Sequence, residues 1–134
     1  MTAVVADTHT IIWYLRENAL LSSSAINALD NALDQESPIY VSAISIVEVS
    51  YLVERYRLPE EAFGQLINAL SDPGTGLAVA SLDLITAQTL RQIPRDVVPD
   101  MPDRIIAATA LSLNLPLVTR DRKIQGLTTI QTIW

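Results

Sequence analysis

Four short runs of nearly continuous apolar residues divide this chain: Ala3-Val4-Val5-Ala6, Ile39-Tyr40-Val41, Leu77 to Leu82, and Leu117-Val118-Thr119. Successive side chains of a strand point to opposite faces, so a strand that is apolar at consecutive positions is covered on both sides. Helical stretches separate the runs. Thr8 to Arg16 carries Ile11, Ile12, Trp13 and Leu15. Ser22-Ser23-Ser24 offers N-caps for a helix with Ile26, Leu29 and Leu33 on one face. Ser42 or Ser45 caps a helix running to about Tyr56, and Ser45-x-x-Glu48 matches a capping box. Pro59-Glu60-Glu61 reads as a first helical turn, Leu84 to Gln92 as a helix, and Pro102 to Leu113 as another that ends at Asn114. Thr128 to Ile133 reads as a fifth strand. Strands alternating with helices predict an α/β fold: a mostly parallel central sheet of about five short strands between two helical layers.

One domain over residues 1–134 is expected, since the Pro/Gly clusters at Asp72 to Gly76 and Pro94 to Pro102 read as internal loops. No apolar run reaches the roughly 18–20 residues that span a bilayer, and the start of the chain has no basic segment, so neither membrane span nor signal peptide is expected. The chain has no cysteine, which excludes disulfides, thiolate metal sites and cysteine nucleophiles. Its net charge of −6 argues against a general nucleic-acid binder, which needs a basic face. The charge argues less against a nuclease, whose acids bound cations neutralise.

The acids carry the chemistry. Asp7 follows the first strand, Glu48 lies in the helix after the second, and Asp121 follows the fourth. In a parallel sheet these positions share the carboxyl edge, where open α/β sheets bind ligands. Asp103 opens the helix before the fourth strand and reaches that edge only if the helix starts beside it. Each acid also has an ordinary reading. Asp7 caps the first helix, Asp100 and Asp103 serve as N-cap and N3 acids, Glu48 completes the capping box, and Asp121 sits in an Asx turn. Glu48, however, lies in the apolar stretch Ile44-Ser45-Ile46-Val47-Glu48-Val49, where a carboxylate is costly unless it is paired or bound to a cation. Clustered carboxylates stay ionised only with positive charge among them. Mg²⁺ and Mn²⁺ prefer oxygen ligands. Such an ion activates water and needs no side-chain nucleophile, which suits a chain with one His and one Lys.

Four segments together resemble the PIN-domain family, and within it the VapC-type toxins of toxin–antitoxin pairs: Val4-Val5-Ala6-Asp7-Thr8-His9; Val41 to Val49; Asp100-Met101-Pro102-Asp103-Arg104-Ile105-Ile106-Ala107-Ala108-Thr109-Ala110-Leu111; and Leu117-Val118-Thr119-Arg120-Asp121. The resemblance implies a PIN-like α/β/α sandwich and assigns catalysis and metal binding to Asp7, Glu48, Asp103 and Asp121. It further implies a cytoplasmic, Mg²⁺- or Mn²⁺-dependent endoribonuclease that hydrolyses RNA. The partners it implies are a second copy of the chain in a homodimer and a cognate antitoxin, with DNA bound only through the antitoxin. Asp100 stays open as an alternative ligand to Asp103, its simpler role being the cap.

Thr119 is expected to orient Asp121 or a bound water, and Thr8 to assist similarly or to cap the first helix. Arg104 is a candidate for RNA phosphate, or else pairs with Asp100 or Asp7. Arg16, Arg120 and Arg122 are weaker phosphate candidates. His9 reads as packing or a substrate contact, because it and Asp7 point different ways at a helix start. Trp13, Tyr14, Tyr51 and Tyr56 read as core or dimer interface ahead of base stacking, with Tyr51, Leu52, Tyr56 and Leu58 as the dimer face. Trp134 reads as packing. Two other functions fit parts of the pattern: a PIN-type nuclease of RNA processing or decay, and a non-catalytic metal-binding α/β module such as a receiver. The receiver wants a buried lysine, and Lys123 sits instead in a turn beside Asp121.

Overall fold

The computed structural model describes residues 2–134. Among these, five parallel strands form one sheet: β1 (Val4–Ala6), β2 (Ile39–Ser42), β3 (Leu77–Ala80), β4 (Leu117–Val118) and β5 (Thr132–Ile133). Their order across the sheet is β3-β2-β1-β4-β5. The helices are α1 (Thr8–Leu15), α2 (Ser23–Asp34), α3 (Ala43–Glu54), α4 (Glu60–Ser71), α5 (Leu84–Thr89), α6 (Met101–Leu113) and α7 (Arg122–Gln125). The mostly parallel, helix-flanked sheet expected from the alternating pattern is present.

The period-two rule sorts the strands between two cores. Val4 and Ala6 of β1, Ile39 and Val41 of β2, and Val118 of β4 pack with α1, α2 and α4 around Ile11, Leu29 and Leu66. Val5 and Leu117 face the other way, onto Ile106, Ala107 and Ala110 of α6. Small residues on α6 let that helix lie close to the sheet. This three-layer arrangement explains why β1 and β4 at the centre of the sheet are apolar at every position, whereas Val79 on the edge strand β3 stays exposed.

The chain runs from β1 outward to β2 and β3 and returns across β1 to place β4 on its far side. The sheet order therefore reverses between β1 and β4, opening a crevice at their carboxyl ends. Thr10, wholly buried in α1, donates its hydroxyl to the Val118 carbonyl at 3.1 Å and pins the start of α1 to the end of β4.

Several boundaries differ from the sequence reading. β3 stops at Ala80 and β5 starts at Thr132, so both strands are shorter than their apolar runs. α5 ends at Thr89, and Leu90–Gln92 continues as a single 3₁₀ turn. The capping box does not form. Ser42 is the N-cap of α3, accepting from the Ile44 amide at 3.2 Å, which puts Ser45 and Glu48 inside the helix and frees both side chains for other partners.

Candidate active site and metal centre

Asp7, Glu48, Asp103 and Asp121 line one cleft of roughly 490 Å³, together with Thr8, His9, Trp13, Asp100 and Arg120. The four acids chosen from sequence thus come together, although 114 positions separate the outermost two. Their convergence follows from ordinary helix physics. Asp7 is the N-cap of α1, its Oδ1 accepting from the Thr10 amide at 3.0 Å. Asp121 is the N-cap of α7, its Oδ1 accepting from the Lys123 and Ile124 amides at 2.8 and 3.0 Å. Asp100 caps α6, its Oδ2 accepting from the Asp103 amide at 3.1 Å. Three helix N-termini therefore face the cleft, and their partial positive charge eases the crowding of carboxylates. The capping readings of Asp7, Asp100 and Asp121 hold, that of Glu48 does not, and capping is what aims these three acids.

Hydroxyl groups hold the acids from behind. Thr119 is fully buried; its hydroxyl donates to Asp7 Oδ2 and accepts from the Asp121 amide at 3.0 Å. One side chain thereby fixes two acids from different parts of the chain. Thr8, also buried, donates to Glu48 Oε1 at 2.5 Å, and its hydroxyl lies 2.8 Å from that of Ser45. Sequence reasoning tied Thr119 to Asp121; its hydroxyl contact with Asp7 spans 112 positions and no local pattern announces it.

The electrostatics confirm a single negative cluster. Burial, and after it the negative charges of Asp100, Asp121, Glu48 and Asp7 in that order, together push the Asp103 carboxyl up to about 7. Burial also raises Glu48, with Asp100 and Asp7 adding to the rise; the Thr8 hydroxyl and His9 oppose it. Carboxylates held in this way are poised to take a cation.

Asp100 is the main addition to the expected site. Carboxylate oxygens of Glu48, Asp100 and Asp103 lie within 4.8 Å of one another. Asp100 and Asp103 were weighed as alternatives; the structure puts both on the cleft. Their separation by three residues at a helix start places the two on one side of its first turn.

Two expectations change. Arg104 does not line the cleft: its Nε donates to the Ile93 carbonyl at 3.2 Å and its Nη2 to the Leu90 and Ile93 carbonyls at 3.0 and 2.9 Å, tying the Leu90–Gln92 turn to α6. The Ile93 carbonyl lies just past that turn, and the Leu90 carbonyl, which already accepts from the Ile93 amide at 3.0 Å, takes Arg104 as a second donor. His9, read as packing or a substrate contact, does lean on Trp13 one helical turn later, but it lines the same cleft as Asp7 where the two were expected to point different ways.

Comparison with known proteins agrees with this architecture. The PIN domain family model matches residues 4–128. Ribonuclease VapC22 of Mycobacterium tuberculosis is 29% identical over 126 residues, covering 94% of this chain and 92% of that protein. Among solved structures, VapBC2 from Rickettsia felis bound to a promoter DNA fragment superposes with a TM-score of 0.72 at 18% identity, covering 97% of this chain and 96% of the other. DNA-bound VapBC from Salmonella typhimurium gives a TM-score of 0.72 at 22% identity, covering 98% and 97%. These structures share the fold of the chain described here. With the acids gathered at the β1–β4 crevice and the family model spanning nearly every element, the chain belongs to the PIN-domain family.

Proposed function

We propose that this protein is a divalent-metal-dependent endoribonuclease that hydrolyses RNA phosphodiester bonds, with Asp7, Glu48, Asp103 and Asp121 as its catalytic acids and Asp100 beside them. The observation that carries the reading is the convergence of five carboxylates on one cleft, close enough that each of the other four raises Asp103. The likeness to Ribonuclease VapC22 supports the choice of RNA.

The donor set fits a hard cation: it is all oxygen, and three of its members come within 4.8 Å of one another. Glu48, Asp100 and Asp103 would hold Mg²⁺ or Mn²⁺, and Asp7 and Asp121, which line the same cleft, would add further oxygen donors. When bound, such an ion lowers the pKa of a coordinated water and stabilises charge developing on phosphate. The chain's own residues supply the rest. Thr8 orients Glu48, Thr119 orients Asp7 and Asp121, and the helix caps keep the carboxylates from turning away. Purified protein should cut RNA with Mn²⁺ or Mg²⁺ and stop when EDTA is added. Failure to cut with either ion would overturn the assignment.

Thr119→Val tests the positioning role. It keeps the shape of the side chain and deletes the hydroxyl that joins Asp7 to Asp121. Cleavage should fall by roughly 10–100-fold at fixed metal, with a matching rise in the metal concentration needed. An unchanged metal titration would remove Thr119 from this role.

The reading extends to a toxin of a toxin–antitoxin pair, acting in the cytoplasm as a homodimer restrained by a cognate antitoxin. Among the described residues no helix is long and apolar enough to cross a membrane. Val47, Tyr51 and Met101 are exposed beside Glu48 and Asp100 in an apolar groove that joins the acidic cleft, which suits a protein partner. Of the expected dimer face, Tyr51 and Tyr56 are exposed, whereas Leu58 packs against the core.

A further inference from the structure

One wall of the acidic cleft differs in character from the rest. Trp13 of α1 lies against His9, ring centroids 5.5 Å apart and tilted by 46°. Trp134 also contacts Trp13, ring centroids 6.0 Å apart and tilted by 60°. The Arg120 guanidinium carbon lies over the Trp13 ring, 5.6 Å from its centroid, within cation–π range. His9, Trp13 and Arg120 all line the cleft that holds the acids. Trp13 also packs against the core, as does Trp134, so its orientation is fixed from beneath, while His9 and Arg120 are exposed.

We propose that Trp13, flanked by His9 and Arg120, is the subsite for the nucleotide next to the scissile phosphate: the base stacks on the indole and Arg120 bonds the neighbouring phosphate. The proposal rests on the nuclease reading above and gives it a substrate contact. A nucleotide offers a π face and an anion, and this wall offers an indole and, over it, an exposed guanidinium that can turn to the phosphate as the base takes its place on the ring. Among the residues lining the cleft, Arg120 and His9 are the only basic ones, so this wall is where the protein's own side chains offer positive charge to an anionic strand. The net charge of −6 leaves little general attraction for a polyanion. Stacking, which does not depend on net charge and accepts any base, compensates for the missing basic face.

The chain has two tryptophans, so Trp134→Phe leaves Trp13 as the sole indole emitter. This variant is titrated in Ca²⁺ buffer with a single-stranded RNA octamer and with an abasic octamer of the same ribose-phosphate backbone. The base-bearing strand should quench Trp13 saturably and bind at least about fivefold more tightly than the abasic one. Arg120→Gln should weaken both strands alike and flatten the dependence of log affinity on log salt by about 0.7, the share of one phosphate on a single strand. Equal affinity for the two octamers, or binding of the base-bearing strand without quenching, overturns the proposal. Cleavage by the wild-type protein is assayed in parallel. Cleavage without selective quenching sinks the subsite and leaves the nuclease standing. Selective quenching without cleavage by any divalent ion keeps the subsite and sinks the hydrolase.

Discussion

Asp7→Asn is expected to abolish RNA cleavage while leaving the fold in place. Asp7 has two duties that the substitution separates. Its Oδ1 caps α1 through the Thr10 amide, and asparagine caps a helix about as well as aspartate. Its Oδ2 accepts from Thr119. In the variant an amide nitrogen stands there, and the Thr119 hydroxyl rotates to accept instead. The thermal midpoint should therefore move little. What disappears is a negative charge and an oxygen at the β1 end of the cleft. Cleavage with saturating Mn²⁺ should fall by at least about a hundredfold, the scale on which one group stabilising reaction charge usually acts. The check is the initial rate of fragment release beside a circular-dichroism melt of the same preparation. A variant that melts like the parent and still cuts at a comparable rate would remove Asp7 from the reaction.

The candidate site was legible because the capping residues and the proposed catalytic residues overlap. Asp at a strand-to-helix junction is both the preferred N-cap and, in a parallel sheet, a residue on the ligand-binding edge. Asp7 and Asp121 sit at such junctions, so reading them as caps and reading them as site residues led to one location. Glu48 was marked by its apolar neighbours, whose cost in burial the structure confirms by raising its carboxyl. The false capping box at Ser45 shows the limit of local pattern. Ser42 and Ser45 both precede an apolar run, and the position where β2 hands over to α3 decides between them. That position is set by pairing with β1 and β3, outside any local window.

The parts that stayed hidden are those made by long-range contact. Arg104 beside Asp103 looked like a phosphate ligand because sequence shows neighbours along the chain. Its partners, the Leu90 and Ile93 carbonyls, belong to a turn 11 to 14 residues away whose 3₁₀ geometry was read as helix. Trp13 and Trp134 are 121 positions apart, and only the sheet order, which puts β5 beside β4 and β4 beside β1, brings them together. Asp100 was weighed only as an alternative to Asp103, and nothing in the spacing said that the start of α6 brings both acids to the cleft.

Asp103→Asn should raise the stability of the metal-free protein at neutral pH while it disables cleavage. The folded-state carboxyl of Asp103 titrates at about 7 against an ordinary value of 3.8. Between those values the folded chain keeps a proton that the unfolded chain has released, so folding stability falls as pH rises through about 4 to 7 and stays low above. A shift of this size corresponds to roughly 4 kcal/mol, and solvent at the open cleft reduces the usable part to about 2 kcal/mol. Asparagine carries no charge and escapes this loss, giving up about 0.3–1 kcal/mol of favourable interaction with the α6 N-terminus. In EDTA at pH 8 the variant should melt several degrees above wild type, whereas at pH 4 the two should nearly coincide. Added Mg²⁺ or Mn²⁺ should raise the wild-type midpoint at pH 8 and raise that of the variant much less, because the cation relieves the same repulsion that the substitution has already removed. Thermal melts of both proteins at the two pH values, with and without cation, decide the matter. A variant that melts at or below wild type at pH 8 in EDTA would mean that the carboxylates do not strain the fold, and the electrostatic case for a cation among them would fail with it.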